Sequence, residues 1–236
     1  MFSIPNIITA LNLYSGCLGV VAVLEGRPDK AMMYIGLALI FDFADGWVAR
    51  KLGQSSALGI QLDSLADVVS FGLLPGCMMY SIFKSYNSDG SWSAQVAWLP
   101  LMLTVFAAFR LARFNVETTG EPGEFQGLPV PASGMAVAGI YGHFALDGGS
   151  FGLFDTRILM VLLTLTASVA MVSRMRILKF QVNKVFFQKH LMLVFLYLLC
   201  LAILMMKHHY AFTLLTIAHV LYGIIYFAFS KIKHKT

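Results

Sequence analysis

The sequence predicts an all-helical, polytopic membrane bundle with about eight transmembrane helices, folded as a single domain over residues 1–236. Three observations predict it. Apolar residues fill 58% of the 236 positions and charged residues only 12%, against roughly 45–50% and about 25% in soluble proteins. The apolar residues fall in continuous runs close to the ~20 residues that a helix needs to cross a bilayer. Within those runs nothing alternates every second residue, which argues against a membrane β-barrel.

Taken in order, the runs cover residues 7–24, 30–50, 62–84, 94–115, 132–147, 155–173, 188–207 and 210–230. The first follows Met1-Phe2-Ser3-Ile4-Pro5-Asn6, which has no basic region. No small-residue cleavage site precedes the polar break at Glu25-Gly26-Arg27, so this helix is expected to be retained. A short turn around Gly53 lets the second and third run antiparallel. The fifth is short, and pre-proline geometry around Pro129 and Pro131 should stiffen its entry. Helices within 1–173 form the core, and the pair within 188–230 is an addition to it. Of the two longer connections, Glu117–Pro131 is rich in glycine, proline and glutamate. Ser173–Lys189 is basic, with Phe180, Phe186 and Phe187 interspersed, and reads as an ordinary loop, with an amphipathic surface stretch as the alternative.

Arg50, Lys51, Arg110, Arg113, Arg174, Arg176, Lys179, Lys184, Lys189, Lys231, Lys233 and Lys235 fall on one side of this arrangement, twelve of the 17 basic residues. Positive loops stay cytoplasmic, so both termini and this side are expected to face the cytoplasm, in a cell inner membrane. The formal charge of +5 is mostly this topology signal, with attraction for anionic lipid besides, and nucleic acid is not an expected partner. Cys17, Cys77 and Cys200 lie in apolar runs without metal-ligand spacing and read as buried small hydrophobes. His143 and His219 read as isolated packing residues, and the other histidines as polar helix-end groups. Trp92 and Trp98 read as interfacial anchors.

Of the 12 acidic residues only Asp42, Asp45, Asp63 and Asp67 sit inside helical runs, all within 26 residues. Ionised groups at membrane depth are costly, about 2.5–3.5 kcal/mol for an aspartate on insertion scales, and are functional candidates by default. Spacings of three and four put each pair on one face of its own helix, and the Gly53 turn lets the two faces meet. Converging carboxylates repel one another unless cations compensate. Oxygen ligands without nearby cysteine or histidine favour magnesium or manganese, and two such ions could clamp a phosphate. Gly46 and Ala49 leave room for a flat group against the backbone, and Arg50 offers a bidentate phosphate partner. An intramembrane ion path of the transporter kind is the competing reading of clustered aspartates, and the order of the residues separates the two.

Asp42-x2-Asp45-Gly46-x2-Ala49-Arg50-x8-Gly59-x3-Asp63-x3-Asp67 resembles the signature of the CDP-alcohol phosphotransferase family, with all eight fixed positions filled. Pro5-Asn6 and Thr9 resemble that family's amino-terminal element. The resemblance implies that Asp42, Asp45 and Asp63 ligate metal and that Asp67 ligates a second ion and acts as general base. It also implies that Gly46, Arg50 and Ser56 contact the CDP moiety of CDP-diacylglycerol, that Pro5, Asn6 and Thr9 lie near its diphosphate, and that Gly59 permits close helix approach. Members of the family are usually homodimers. Phe109-Arg110-Leu111-Ala112-Arg113-Phe114-Asn115-Val116, followed by Gly127-Leu128-Pro129-Val130-Pro131-Ala132, resembles the corresponding stretch of the membrane-embedded phosphatidylserine synthases. That branch implies L-serine as acceptor, with glycerol 3-phosphate or inositol phosphate as alternatives. Arg110 and Arg113 share a helix face and could hold a carboxylate or a phosphate, or serve only as positive-inside anchors. Asn115 and Gln126 are candidates for the remaining acceptor contacts, or for loop capping.

Overall fold

The computed structural model describes residues 3–86, 96–116, 124–148, 156–178, 213–218 and 221–222. Helix α1 spans Ile4–Leu24. It starts where the Ser3 side chain accepts from the Asn6 N–H at 3.4 Å, with a proline in the first turn, a position where the missing N–H costs nothing. Helix α2, Pro28–Leu52, also begins on a proline and carries Arg50 and Lys51 in its last turn, where the helix dipole favours cations. It stops at Gly53, whose φ of 62° is left-handed, a conformation cheap only for glycine. Gln54 N–H then closes on the Ala49 carbonyl at 3.0 Å.

Ser56 caps α3, Ala57–Asp67, by accepting from Gly59 N–H at 3.0 Å. The helix continues without a break through a π-helical segment, Val68–Leu73, into α4, Leu74–Tyr86. It starts five residues before the expected 62, because a serine cap overrides the weak apolarity of that turn. A 3₁₀ turn, Val96–Leu101, leads into α5, Met102–Val116. Pro100 lies inside the 3₁₀ turn, and its missing N–H fits the short irregular entry. Helices α6, Val130–Ala145, and α7, Thr156–Val172, follow. The expected helices at 188–207 and 210–230 lie outside the described residues except at 213–218 and 221–222, which are helical. There Thr213 and Thr216 hydroxyls donate to the Ala136 and Ala132 carbonyls of α6 at 2.6 and 3.3 Å.

One feature departs from the all-helical expectation. Strands β1, Glu124–Gln126, and β2, Arg176–Leu178, pair antiparallel with Phe125 opposite Ile177. They join the two connections that the sequence presented as loops, so Arg176–Leu178 is a paired strand and not an ordinary loop. The pairing continues as Gly127 N–H donates to Met175 C=O at 2.8 Å, and Leu128 N–H ties the segment to α7 through Ala170 C=O at 2.9 Å. Gly127 has φ 74°, and a Cβ there would run into the Met171 and Ser173 carbonyls.

Among the described residues four helical stretches, Ile4–Leu24, Pro28–Leu52, Ala57–Ser85 and Ala97–Val116, are long and apolar enough to cross a membrane. Their faces are inverted relative to a soluble protein. On α1, Asn6, Thr9, Asn12, Ser15, Gly16 and Gly19 point inward, while Ile4, Ile7, Leu11, Tyr14 and Val21 are exposed. Small and polar groups pack between helices and large apolar ones face outward, the pattern that lipid rather than water permits. The Ala57–Ser85 stretch is the central helix, 61% buried over its apolar window against 22–39% for the other three. Phe71, Leu74, Met78 and Met79 on it meet Leu103 and Ala107 of α5 and Val137 and Ala138 of α6. Two smaller expectations change. Cys17 is exposed on the outward face of α1 and Cys77 is half-buried, with Cys200 outside the described residues. His143 is not isolated, since its Nδ1 lies 3.7 Å from Asp147 Oδ2 one turn on.

Close approach of α6 to the central helix requires Gly134, because a Cβ there would lie 2.9 Å from the Phe71 carbonyl oxygen. Gly134→Leu should therefore lower the melting temperature of the detergent-purified protein by the equivalent of about 1–3 kcal/mol. Gly36→Leu, at a position with nothing within 4 Å of such a Cβ, should leave it unchanged. Equal melting points for the two variants would contradict this packing.

Candidate active site

The hairpin of α2 and α3 brings together the residues that the spacing singled out. Carboxylate oxygens of Asp42, Asp63 and Asp67 all lie within 4.8 Å of one another. Asp45 stands apart from this trio. Three residues on from Asp42 is about 60° round the helix, and this turns it towards α1, where its Oδ2 accepts from Thr9 Oγ1 at 2.6 Å. Thr9 Oγ1 also lies 3.1 Å from the Pro5 carbonyl.

Asp67 is buried, and its Oδ1 accepts from Asn12 Nδ2 in a long bond of 3.5 Å. Asp63 Oδ1 is buried with no hydrogen-bond partner among the described residues. An unpaired carboxylate oxygen beside two other carboxylates, away from water, is strongly unfavourable unless a cation completes the site. Three oxygen donors at this spacing, with no sulfur or imidazole among them, fit a hard divalent ion. The residues present therefore suit magnesium or manganese.

Next to the trio lies an open cavity of about 170 Å³. All eight residues expected at the donor line it: Pro5, Asn6 and Thr9 from α1, Gly46, Ala49 and Arg50 from α2, and Ser56 and Gly59 from the start of α3. Asp45 and Asp63 form its wall on the carboxylate side. Local geometry explains the small residues. The Arg50 guanidinium folds back along its own helix, so that a Cβ at Gly46 would sit 3.4 Å from Nη1. A Cβ at Gly59 would sit 3.0 Å from Asn6 Oδ1, so glycine is what lets α1 reach α3. Ser56 Oγ, besides lining the cavity, holds the helix cap. Gln54, Ser55 and Ile60 also line the cavity. They fall among the variable positions between Arg50 and Asp63, and only the helix stop at Gly53 and the serine cap signal them in sequence.

The residues expected at the acceptor separate into different environments. Arg110 is buried, its Nε has no hydrogen-bond partner among the described residues, and it lies within electrostatic reach of Asp67 and Arg113. Arg113 Nη1 donates to the Val172 carbonyl at 2.9 Å, tying the end of α5 to the end of α7. Asn115 Nδ2 donates to Ser64 Oγ at 2.9 Å and to Gln61 Oε1 at 3.3 Å on α3. Gln126 stands on β1, its backbone opposite Arg176. Arg110 is thus within electrostatic reach of one of the carboxylates, Asp67. Asn12 and Ser70 were not singled out from the sequence, although a polar side chain on the inner face of an apolar helix is a signal in itself.

A profile of the family described as CDP-alcohol phosphatidyltransferase matches residues 2–172. The chain belongs to that family. The match spans α1 to α7 and so includes the cavity and the trio. Curated relatives extend the likeness beyond it. A Helicobacter pylori protein named CDP-diacylglycerol–serine O-phosphatidyltransferase is 31% identical over 99% of this chain and 94% of its own length. A Methanocaldococcus jannaschii protein of the same name is 32% identical over 95% and 97%. An archaetidylserine synthase of Methanothermobacter thermautotrophicus is 32% identical over 67% of each chain. With its membrane-crossing helices, this phosphatidyltransferase is an integral membrane enzyme.

If the trio holds a divalent ion, manganese at about a hundred times its dissociation constant should stabilise the protein by about 2.7 kcal/mol, read as a rise in melting temperature. Asp63→Asn should lose most of that rise. An equal rise in the variant would exclude Asp63 as a ligand.

Proposed function

We propose that this protein transfers the phosphatidyl group of CDP-diacylglycerol to the hydroxyl of L-serine, giving phosphatidylserine and CMP. The observation that carries the reading is the shared wall: Asp63 belongs both to the three-carboxylate cluster and to the lining of the cavity. A nucleotide seated against Gly46 and Ala49 would present its diphosphate to Arg50 and to the carboxylate side. Asp42, Asp45, Asp63 and Asp67 would hold two magnesium or manganese ions, Asp45 after exchanging its bond from Thr9. Bound there, the ions would neutralise the diphosphate and the charge that develops on the departing CMP.

The chain's own residues do the rest. Asp67 accepts the proton of the serine hydroxyl, whose oxygen bonds to the phosphorus that carries diacylglycerol. The bond from that phosphorus to the bridging oxygen breaks, and CMP leaves with the electron pair. Arg50 stays on the leaving phosphate throughout. No covalent enzyme intermediate is needed, because donor phosphorus and acceptor hydroxyl meet at one site.

Serine as acceptor rests on two supports. It stands in the names of all three relatives, whether the lipid is phosphatidyl or archaetidyl. Arg110 is a buried guanidinium near Asp67 with an unsatisfied Nε, suited to the carboxylate of an amino acid whose hydroxyl must approach that base. A cytoplasmic site is supported by Arg50, Lys51, Arg113, Arg174 and Arg176, which gather at this end of the bundle, as positive-inside topology requires.

Purified protein in detergent, given CDP-diacylglycerol and manganese, should release CMP with L-serine and not with glycerol 3-phosphate or inositol phosphate. Release only with a phosphorylated alcohol would keep the chemistry and reject serine. Asp67→Asn should cut turnover by roughly 10²–10⁴-fold, the span of general-base contributions, with little change in melting temperature; near-normal turnover removes Asp67 as base.

A further inference from the structure

Helix α1 reaches the carboxylates twice, three residues apart: Thr9 holds Asp45 of α2, and Asn12 holds Asp67 of α3. Asn12 is fully buried, with relative exposure of 0%, and its contacts run through both side chain and backbone. Nδ2 donates to Asp67 Oδ1 at 3.5 Å, while the Asn12 carbonyl accepts from Ser70 Oγ at 3.1 Å. Ser70 lies three residues beyond Asp67, inside the π-helical segment Val68–Leu73. A π turn shifts the facing of the next helical turns relative to a continuous α-helix, and such turns recur at functional sites. Here its start is held at Asp67 and at Ser70 by one residue of α1. Gly16 makes the grip possible, since a Cβ at that position would lie 2.9 Å from the Ser70 Cα.

We infer that Asn12 is a positioning residue for Asp67: it fixes one carboxylate oxygen and so leaves the other, Oδ2, to face the acceptor hydroxyl. The inference rests on the reading of Asp67 as general base. Asn12 Oδ1 has no hydrogen-bond partner among the described residues, and a buried acceptor left unpaired is destabilising. An asparagine kept for packing alone would be better replaced by a leucine of similar size. Its donor half is the part with a use, and that use is to orient Asp67.

Stability and catalysis should therefore move differently on substitution. Asn12→Leu should leave the melting temperature equal to or above the parent's. It should lower kcat about 10- to 100-fold, the usual effect of losing a group that orients a catalytic ligand. KM for serine and for CDP-diacylglycerol should stay within about twofold. Asn12→Val, a smaller apolar side chain that likewise cannot donate, should lose kcat similarly and is read in its place if the leucine variant does not fold. In Asn12→Leu/Asp67→Asn the two losses should not add, because one residue acts through the other. Normal kcat in the folded variant, a parallel fall of melting temperature and kcat, or additive losses would each overturn the inference. Should Asp67→Asn alone stay active, the base assignment falls instead, whatever the Asn12 variants do.

Discussion

Carboxylates on the inner faces of two membrane-crossing helices need partners that lipid cannot provide, and the surrounding bundle is arranged around meeting that need. Helix α1 meets part of it with Thr9 on Asp45 and Asn12 on Asp67, and α5 contributes the buried charge of Arg110 within reach of Asp67. One oxygen of Asp63 is left without a partner among the described residues. The family to which the chain belongs and the spacing of the trio both point to a divalent ion as the missing one.

The same constraint accounts for the small residues. Helices that deliver side chains to a common point must come close together, and in lipid close approach depends on glycine and other small residues because no hydrophobic force gathers the helices. Gly59 admits Asn6 of α1, Gly16 admits Ser70, and Gly134 lets α6 lie against Phe71. Each of these contacts ends on the central Ala57–Ser85 helix, which carries two of the four aspartates. Packing of the bundle and geometry of the site are therefore one problem, and a bulky substitution at Gly16 would be felt at Asp67.

Much of this was legible in the sequence, for definite reasons. Apolar runs whose interior acids cluster at Asp42, Asp45, Asp63 and Asp67 indicate a membrane bundle with a site near one end, because lipid makes both facts expensive otherwise. The eight residues singled out for the donor are neighbours around one cavity, since they fall on three consecutive segments joined by two short turns. Asp45 was less legible. Spacing along one helix gives a shared face but not the rotation of that face towards a third helix, and α1 draws Asp45 away from the trio. Arg113 and Asn115 illustrate the same limit: both lie at the end of α5, yet their bonds go to the α7 carbonyl and to α3. The β1–β2 ribbon joins connections some fifty positions apart, and no local pattern in three-residue strands announces such a pairing.

The most direct test is diffraction from crystals grown with manganese and CDP-diacylglycerol, collected where manganese scatters anomalously. Anomalous density bounded by Asp42, Asp63 and Asp67 is the expected result, with the nucleotide in the adjoining cavity against Gly46 and Arg50. Nucleotide bound in that cavity with no anomalous density at the three carboxylates would contradict a metal-centred site.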